Sequence, residues 1–263
     1  MIILNGFPVN ITMFPDNTSQ VWKLKEGQIE TYNKIKWEYS GEGEFIHLAQ
    51  LKDLIEVENK PVIAYNVLDI TYLPYARQDK EIRNNTTFSL NTFAKLLNSL
   101  EFDEISILDP HSHRAIELIK NSREYYPKQA VLKVIDLTKS DVVCYPDKGA
   151  VCKYSTKYDV QYVYGEKERD AGSGKISNYK LFGNVEGKNV LIVDDICDGG
   201  ATFILLATAL LNTGAKNIAL FVSHGIFSKG LRPLKSAWIK RIFTPMGEVG
   251  VHQEQLTYKE LPL

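Results

Sequence analysis

Val190-Leu-Ile-Val-Asp194-Asp195-Ile-Cys-Asp198-Gly199-Gly200-Ala201-Thr202 is the stretch on which the reading of this chain turns. Its four leading apolar residues predict a buried strand that ends at two adjacent carboxylates, with a third carboxylate three residues later. The glycine pair then opens a turn into a helix predicted over 202–211 and closed by Gly214. Backbone N–H groups and the dipole at such a helix start favour a phosphate, while the carboxylates suit either vicinal sugar hydroxyls or a metal ion. A strand that delivers polar ligand chemistry at its C-terminal end, followed by a helix, is the repeating unit of an open α/β sheet.

The same unit recurs outward from this stretch. Ile218-Ala-Leu-Phe-Val222 reads as the next strand, and Val142-Val-Cys-Tyr145 as an earlier one that leads into Pro146-Asp147-Lys-Gly149. In the first half, Pro61-Val-Ile-Ala-Tyr65 and Ile105-Ser-Ile-Leu108 read as strands, the second running into Asp109-Pro-His111. Phe88 to Leu100 places Phe93, Leu96, Leu97 and Leu100 on one helical face behind a Ser89 cap, and Ala115, Ile116, Leu118 and Ile119 suggest another helix. The run from Asn121 to Pro127 breaks this pattern, so two domains are expected, residues 1–125 and 126–263. Polar, charged and glycine-rich, 165–187 is expected to be a long mobile loop. Within it Gly172-Ser-Gly-Lys175 is no P-loop, because Arg169 stands where that motif needs its first glycine.

Composition bounds the function. The 263 residues are 44% hydrophobic, enough for one large core or two smaller ones, and 31 basic against 32 acidic side chains leave no field to attract nucleic acid or an anionic membrane. Three cysteines, Cys144, Cys152 and Cys197, form no CxxC pair, and no apolar run approaches the roughly 20 residues needed to span a bilayer. A protein of a reducing, cytoplasmic compartment without nucleic-acid or membrane partners is expected.

The segment from Val190 to Thr202 resembles the phosphoribosyl-diphosphate (PRPP) loop shared by phosphoribosyltransferases and PRPP synthetases, an apolar strand followed by Asp-Asp, two residues and Asp-Thr-Gly-Gly-Thr. Gly199 replaces the threonine, whose hydroxyl helps bind a 5-phosphate, and Ala201 replaces a glycine. Leu73-Pro-Tyr75-Ala-Arg77-Gln78-Asp79-Lys80 resembles the ATP-binding signature Tyr-Ala-Arg-Gln-Asp-Arg of the synthetases, which simple phosphoribosyltransferases lack. An Arg and a Lys in one turn also suit a triphosphate on chemical grounds. Asp109-Pro-His111, Pro146-Asp147-Lys-Gly149, Glu166-Lys167-Glu168-Arg169, Ser223-His224-Gly-Ile-Phe227-Ser228 and Phe14-Pro-Asp16 resemble further segments of that family, in the family's order.

The resemblance to ribose-phosphate diphosphokinases implies two tandem phosphoribosyltransferase-type α/β domains, each a mostly parallel sheet flanked by helices. It implies diphosphoryl transfer from ATP to the 1-hydroxyl of ribose 5-phosphate, giving PRPP and AMP. ATP would be bound by Phe14, Asp16, Arg77, Gln78, Asp79, Lys80 and His111, and the ribose phosphate by Asp194, Asp195, Asp198, Gly199, Gly200, Ala201 and Thr202. Mg²⁺ would be held by His111 and Asp147, with Lys167 and Arg169 stabilising the transition state and His111 helping hold the ATP phosphates. His224 is assigned an architectural role. The resemblance also implies a homo-oligomer, a dimer or a hexamer. The altered positions 199 and 201 motivate an alternative acceptor, a 5-substituted ribose such as ADP-ribose in NAD metabolism. A phosphoribosyltransferase and a non-catalytic synthetase-associated subunit are the other readings.

Overall fold

A computed structural model describes residues 1–81, 85–169, 176–252 and 255–259, and the chain divides into two compact units, Met1–Tyr125 and Tyr126–Leu263. In the first unit the elements are β1 (Ile2–Leu4), β2 (Phe7–Pro8), β3 (Ile11–Met13), β4 (Ser19–Val21), β5 (Tyr32–Trp37), α1 (Glu44–Glu58), β6 (Tyr65–Ile70), α2 (Ser89–Asn98), β7 (Glu104–Leu108), α3 (Arg114–Leu118) and β8 (Ser122–Tyr125). One sheet has the order β2-β1-β5-β6-β7-β8, parallel from β5 to β8, and β3 with β4 forms a separate antiparallel ribbon.

Two expectations in this unit need correction. The strand expected over 61–65 is instead Tyr65–Ile70, in register with β5 from Tyr32↔Tyr65 to Trp37↔Ile70. Pro61 has no N–H to give a ladder, and Val62 and Ile63 face solvent, whereas Leu68 and Ile70 are buried. Ser89 is the first helical residue and not a cap, since Phe88 holds the cap position without a side-chain hydrogen bond. The buried face of α2 is Leu90, Phe93, Ala94 and Leu97, while Leu96 is exposed.

The second unit comprises α4 (Lys128–Thr138), β9 (Val142–Tyr145), α5 (Lys148–Tyr158), β10 (Tyr162–Arg169), β11 (Ile176–Phe182), β12 (Asn189–Cys197), α6 (Ala201–Asn212), β13 (Asn217–Gly225), α7 (Arg232–Ser236), β14 (Ile239–Thr244), β15 (Gly247–His252) and β16 (Gln255–Lys259). Its sheet runs β11-β10-β9-β12-β13-β14-β15-β16, parallel from β10 to β14. Both faces of β12 are covered: Val190 and Ile192 share a core with Phe203, Leu206 and Leu210 of α6, and Leu191 and Val193 share one with Val131 of α4 and Tyr154 of α5. Burying each such aliphatic side chain contributes about 1.5–3 kcal/mol, which explains why this strand reads as a continuous apolar run.

β12 does not stop at Val193. Pairing with β13 continues through Asp194↔Val222, Ile196↔His224 and Cys197↔Gly225, so the carboxylate pair is held on a rigid strand. The mobile loop expected over 165–187 is corrected for 165–169 and 176–182, because β10 and β11 form an antiparallel hairpin from Tyr164↔Phe182 to Arg169↔Ile176, while 170–175 lie outside the described residues. Charges at Glu166, Lys167, Glu168 and Arg169 on this outer hairpin had the composition of a loop. The run Gly172 to Lys175 lies outside the described residues.

Candidate active site

In the second unit, three segments singled out in the sequence follow or end neighbouring strands of one sheet. Because side chains alternate along β12, Asp194 shares the α6 side with Ile192, and Asp195 shares the α5 side with Val193. Asp195 is buried at 7% exposure; its Oδ1 accepts from the Ile196 N–H at 2.8 Å, and its Oδ2 lies 3.5 Å from Lys153 Nζ of α5. Asp194 is held well above the usual carboxylate range, first by burial and then by the charge of Asp195, with Asp147 adding to it and Lys153 opposing it. Negative charge is thus concentrated at the end of β12 and would be relieved by hydroxyl donors or a cation.

The turn that follows is shaped by glycine. Gly200 has φ +78°, and a Cβ there would meet Leu234 Cδ2 at 2.8 Å, so neither conformation nor space allows a side chain. Gly199 is different: a Cβ would lie 3.4 Å from the Lys229 methylenes, ordinary contact. Gly200 is also the cap of α6 and offers no side-chain acceptor, leaving the first-turn N–H groups without a capping side chain. Beside this turn the Ile226 and Phe227 N–H groups donate to the Cys197 carbonyl at 2.9 and 3.0 Å. His224, on β13, is buried within the sheet.

Asp147 caps α5, its Oδ1 accepting from the Ala150 N–H at 3.1 Å. Its Oδ2 accepts from Lys167 Nζ of β10 at 3.3 Å, and Lys148 pairs with Glu166 beside it. Two residues separated by 20 positions in the chain, one expected at a metal and one in catalysis, therefore meet. Arg169 ends β10, and its side chain lies outside the described residues. Cys197 is pushed up to about 12 by burial and by the charges of Asp194 and Asp198, and burial raises Cys144 further. Neither thiol is a thiolate nucleophile at neutral pH.

In the first unit, β6 and β7 are parallel neighbours, and the segments after their C-terminal ends carry Arg77-Gln78-Asp79-Lys80 and Asp109-Pro110-His111. Tyr75 has φ +62°, Gln78 N–H donates to the Tyr75 carbonyl at 2.8 Å, and Leu90 N–H donates to the Gln78 carbonyl at 3.2 Å, tying this turn to α2. The Tyr75 hydroxyl donates to Glu42 Oε1 at 2.5 Å, which raises it to about 12. Asp109 is fully buried at φ +39°, presenting His111 at the surface. Arg77, Gln78 and Lys80 are exposed and Asp79 half-buried. Phe14 and Asp16 sit at the tip of the β3–β4 ribbon, where Asp16 Oδ1 accepts from the Thr18 hydroxyl at 2.7 Å and its N–H at 3.0 Å, lowering the Asp16 pKa.

One residue missed in the sequence enters the second-unit site. Tyr179 of β11 stands opposite Lys167 and carries its hydroxyl into the neighbourhood of Thr202, Asp147 and Asp194. Its only sequence signal is a buried aromatic in a polar stretch, and without the hairpin register that signal has no direction.

The fold and these turns define a phosphoribosyltransferase-type protein: residues 116–259 match the phosphoribosyl transferase domain model, and the chain belongs to that family. Within it, the chain is 29% identical over 252 residues to the ribose-phosphate pyrophosphokinase of Pyrococcus abyssi, covering 94% of this chain and 84% of the relative. It is 28% identical over 229 residues to the Pyrococcus furiosus ribose-phosphate pyrophosphokinase, covering 84% and 79%. The fold matches that of the phosphoribosylpyrophosphate synthetase from Mycobacterium smegmatis with a TM-score of 0.71 at 20% identity, over 89% of this chain and 78% of the other.

Proposed function

We propose that this chain is an ATP-dependent ribose-phosphate diphosphokinase, forming PRPP and AMP from ribose 5-phosphate. The observation that carries the proposal is the end of β12, where charge concentrated at Asp194 and Asp195 adjoins a helix start with no capping side chain. That pairing suits a ligand with vicinal hydroxyls at one end and a phosphate at the other. The relatives' name supports the reaction type.

In this reading Arg77, Gln78, Asp79, Lys80 and His111, with Phe14 and Asp16, bind ATP, while Asp194, Asp195 and the turn through Thr202 bind the acceptor. Phosphoryl-type transfer asks mainly for in-line positioning and for cations that meet charge building on the transferred oxygens. Lys167 and Arg169 supply such cations. The pairing of Lys167 with Asp147 becomes a resting contact from which the ammonium is released to the substrate.

Among the described residues no three His, Cys, Asp or Glu side chains are grouped to hold a metal alone. The second-unit donors are hard carboxylate oxygens, and burial with the charges of Asp195 and Asp147 outweighs Lys153 at Asp194, so they fit a Mg²⁺ ion completed by substrate oxygens. His111 would help hold Mg²⁺ at the ATP phosphates and Asp147 would help hold a Mg²⁺ at the acceptor ribose, where the ion when bound would neutralise charge on the phosphate oxygens.

A second acceptor is favoured by Gly199, which puts no side chain over the phosphate turn: a 5-substituted ribose such as ADP-ribose, whose diester phosphate is bulkier and less charged. Measuring AMP release from ATP with each acceptor separates the readings. Release with ribose 5-phosphate supports the first and release with ADP-ribose alone the second. No release with either points to a phosphoribosyltransferase or a non-catalytic subunit, and a homo-oligomer remains part of the proposal to be read by light scattering.

A further inference from the structure

Tyr179 is 4% exposed, and its hydroxyl oxygen is buried with no hydrogen-bond partner among the described residues. Burial raises its pKa first; the Thr202 side chain stands beside it and lowers its pKa, while the charges of Asp147 and Asp194 raise it. A buried hydroxyl left unpaired costs stability, so its retention in place of a phenylalanine asks for a partner that arrives from outside. The ring also has a prepared seat: a Cβ at Gly165 of β10 would lie 2.8 Å from Tyr179 Cδ1 and 3.0 Å from Leu206 Cδ1. Two positions of the hairpin are thus committed to carrying one hydroxyl to the start of α6. At that start Gly199 contributes no side chain of its own to a bound phosphate.

We propose that the Tyr179 hydroxyl is a substrate-binding group of the acceptor site, donating a hydrogen bond to a phosphate oxygen of the ribose phosphate held at the turn into α6. Burial first, and then the neighbouring carboxylates, keep the phenol protonated and therefore a donor. The inference rests on the acceptor reading above and names a specificity contact within it. Ribose 5-phosphate and ADP-ribose both carry a phosphate on C5, so the contact serves either.

The test is Tyr179→Phe, which keeps the ring and removes the hydroxyl. AMP formation at saturating ATP gives KM and kcat, calorimetry gives ribose 5-phosphate and ADP-ribose binding without turnover, and thermal melting reports the fold. Losing one hydrogen bond to a charged group should raise the KM and Kd of the preferred acceptor about tenfold or more, with kcat and the KM for ATP held within about twofold. The melting temperature should stay level or rise, because an unpaired buried hydroxyl has gone. Acceptor Kd and KM within about twofold of wild type would overturn the inference, as would a lowered melting temperature with kcat lowered and both KM values raised together. A wild type that binds acceptor and forms no AMP, with binding weakened in the variant, would retain this contact and refute the diphosphokinase reading. A wild type that binds neither acceptor would refute both.

Discussion

Lys153→Met removes the ammonium 3.5 Å from Asp195 Oδ2 while keeping a stem of similar length over the Tyr154 ring. Asp195 is buried and Lys153 partly so, with 9% and 17% of their side chains exposed, so solvent screens the pair poorly. At 3.5 Å and an effective dielectric of about 20, the gross attraction is about 5 kcal/mol. Leaving one member of a buried pair alone costs about 3–5 kcal/mol, whereas removing both is close to neutral. Urea denaturation should therefore show Lys153→Met destabilised by about 3 kcal/mol, and the double variant with Asp195→Asn should recover at least about half of that loss. A functional consequence accompanies it. Asp194 is raised above the carboxylate range by burial first, and Lys153 opposes that rise. A carboxylate with a raised folded pKa is charged only above that value, so acceptor binding through Asp194 strengthens as pH rises through it. Removing Lys153 moves that transition to higher pH. A Lys153→Met protein within about 0.5 kcal/mol of wild type, or strictly additive effects in the cycle, would refute this account of the carboxylate pair.

Lys167→Ala should lower kcat by about 100–1000-fold with a smaller change in KM, and wild-type turnover would remove Lys167 from the mechanism. Gly200→Ala, forced to φ +78° against Leu234, should cost about 1–3 kcal/mol in urea denaturation, and a neutral result would contradict the turn geometry. A Cβ at position 199 stands at ordinary contact distance from the Lys229 stem, so Gly199→Thr should change folding by about 0.5 kcal/mol or less while the KM for ribose 5-phosphate falls; an unchanged KM would deny position 199 a role in acceptor choice. Glu248 is lowered chiefly by its hydrogen bonds from Arg241, at 2.8 and 2.7 Å. A lowered folded pKa means that its stabilisation is complete above the ordinary glutamate value and is lost as pH falls through the folded one. Wild type should thus lose about 0.5–1 kcal/mol relative to Glu248→Gln across that acidic window, and parallel stability curves would show that the pair contributes nothing.

The parallel core was legible in the sequence because β9, β12 and β13 are covered on both faces and read as plain apolar runs. The helix α6 was legible for the related reason that its glycine turn and Gly214 bracket it. Legibility failed where exposure and pairing separate composition from conformation. β6 contains Asn66 and Asp69, whose polar side chains are tied into the unit: the Asp69 carboxylate accepts from the Tyr125 hydroxyl at 2.8 Å, and the Asn66 Oδ1 accepts from Asn33 Nδ2 at 3.2 Å. Those long-range partners are invisible locally, and the neighbouring Pro61-Val-Ile-Ala run looked more strand-like. β10 and β11 are an outer hairpin rich in charge, where alternation alone does not distinguish a ladder from a solvated loop. Tyr179 depends on that ladder for its direction, so it was lost with it. Asp147 and Lys167 were each singled out, yet their 3.3 Å contact follows from the β9–β10 pairing and from no spacing rule.

The most direct measurement follows isotope rather than rate: ATP carrying heavy-isotope oxygen on its β-phosphorus is incubated with enzyme and ribose 5-phosphate or ADP-ribose, and the products are resolved by phosphorus NMR. The account predicts one AMP per labelled diphosphate, with the labelled phosphorus bonded to the anomeric oxygen of the sugar. Label recovered in ADP, or in ATP left intact beside either acceptor, would contradict it.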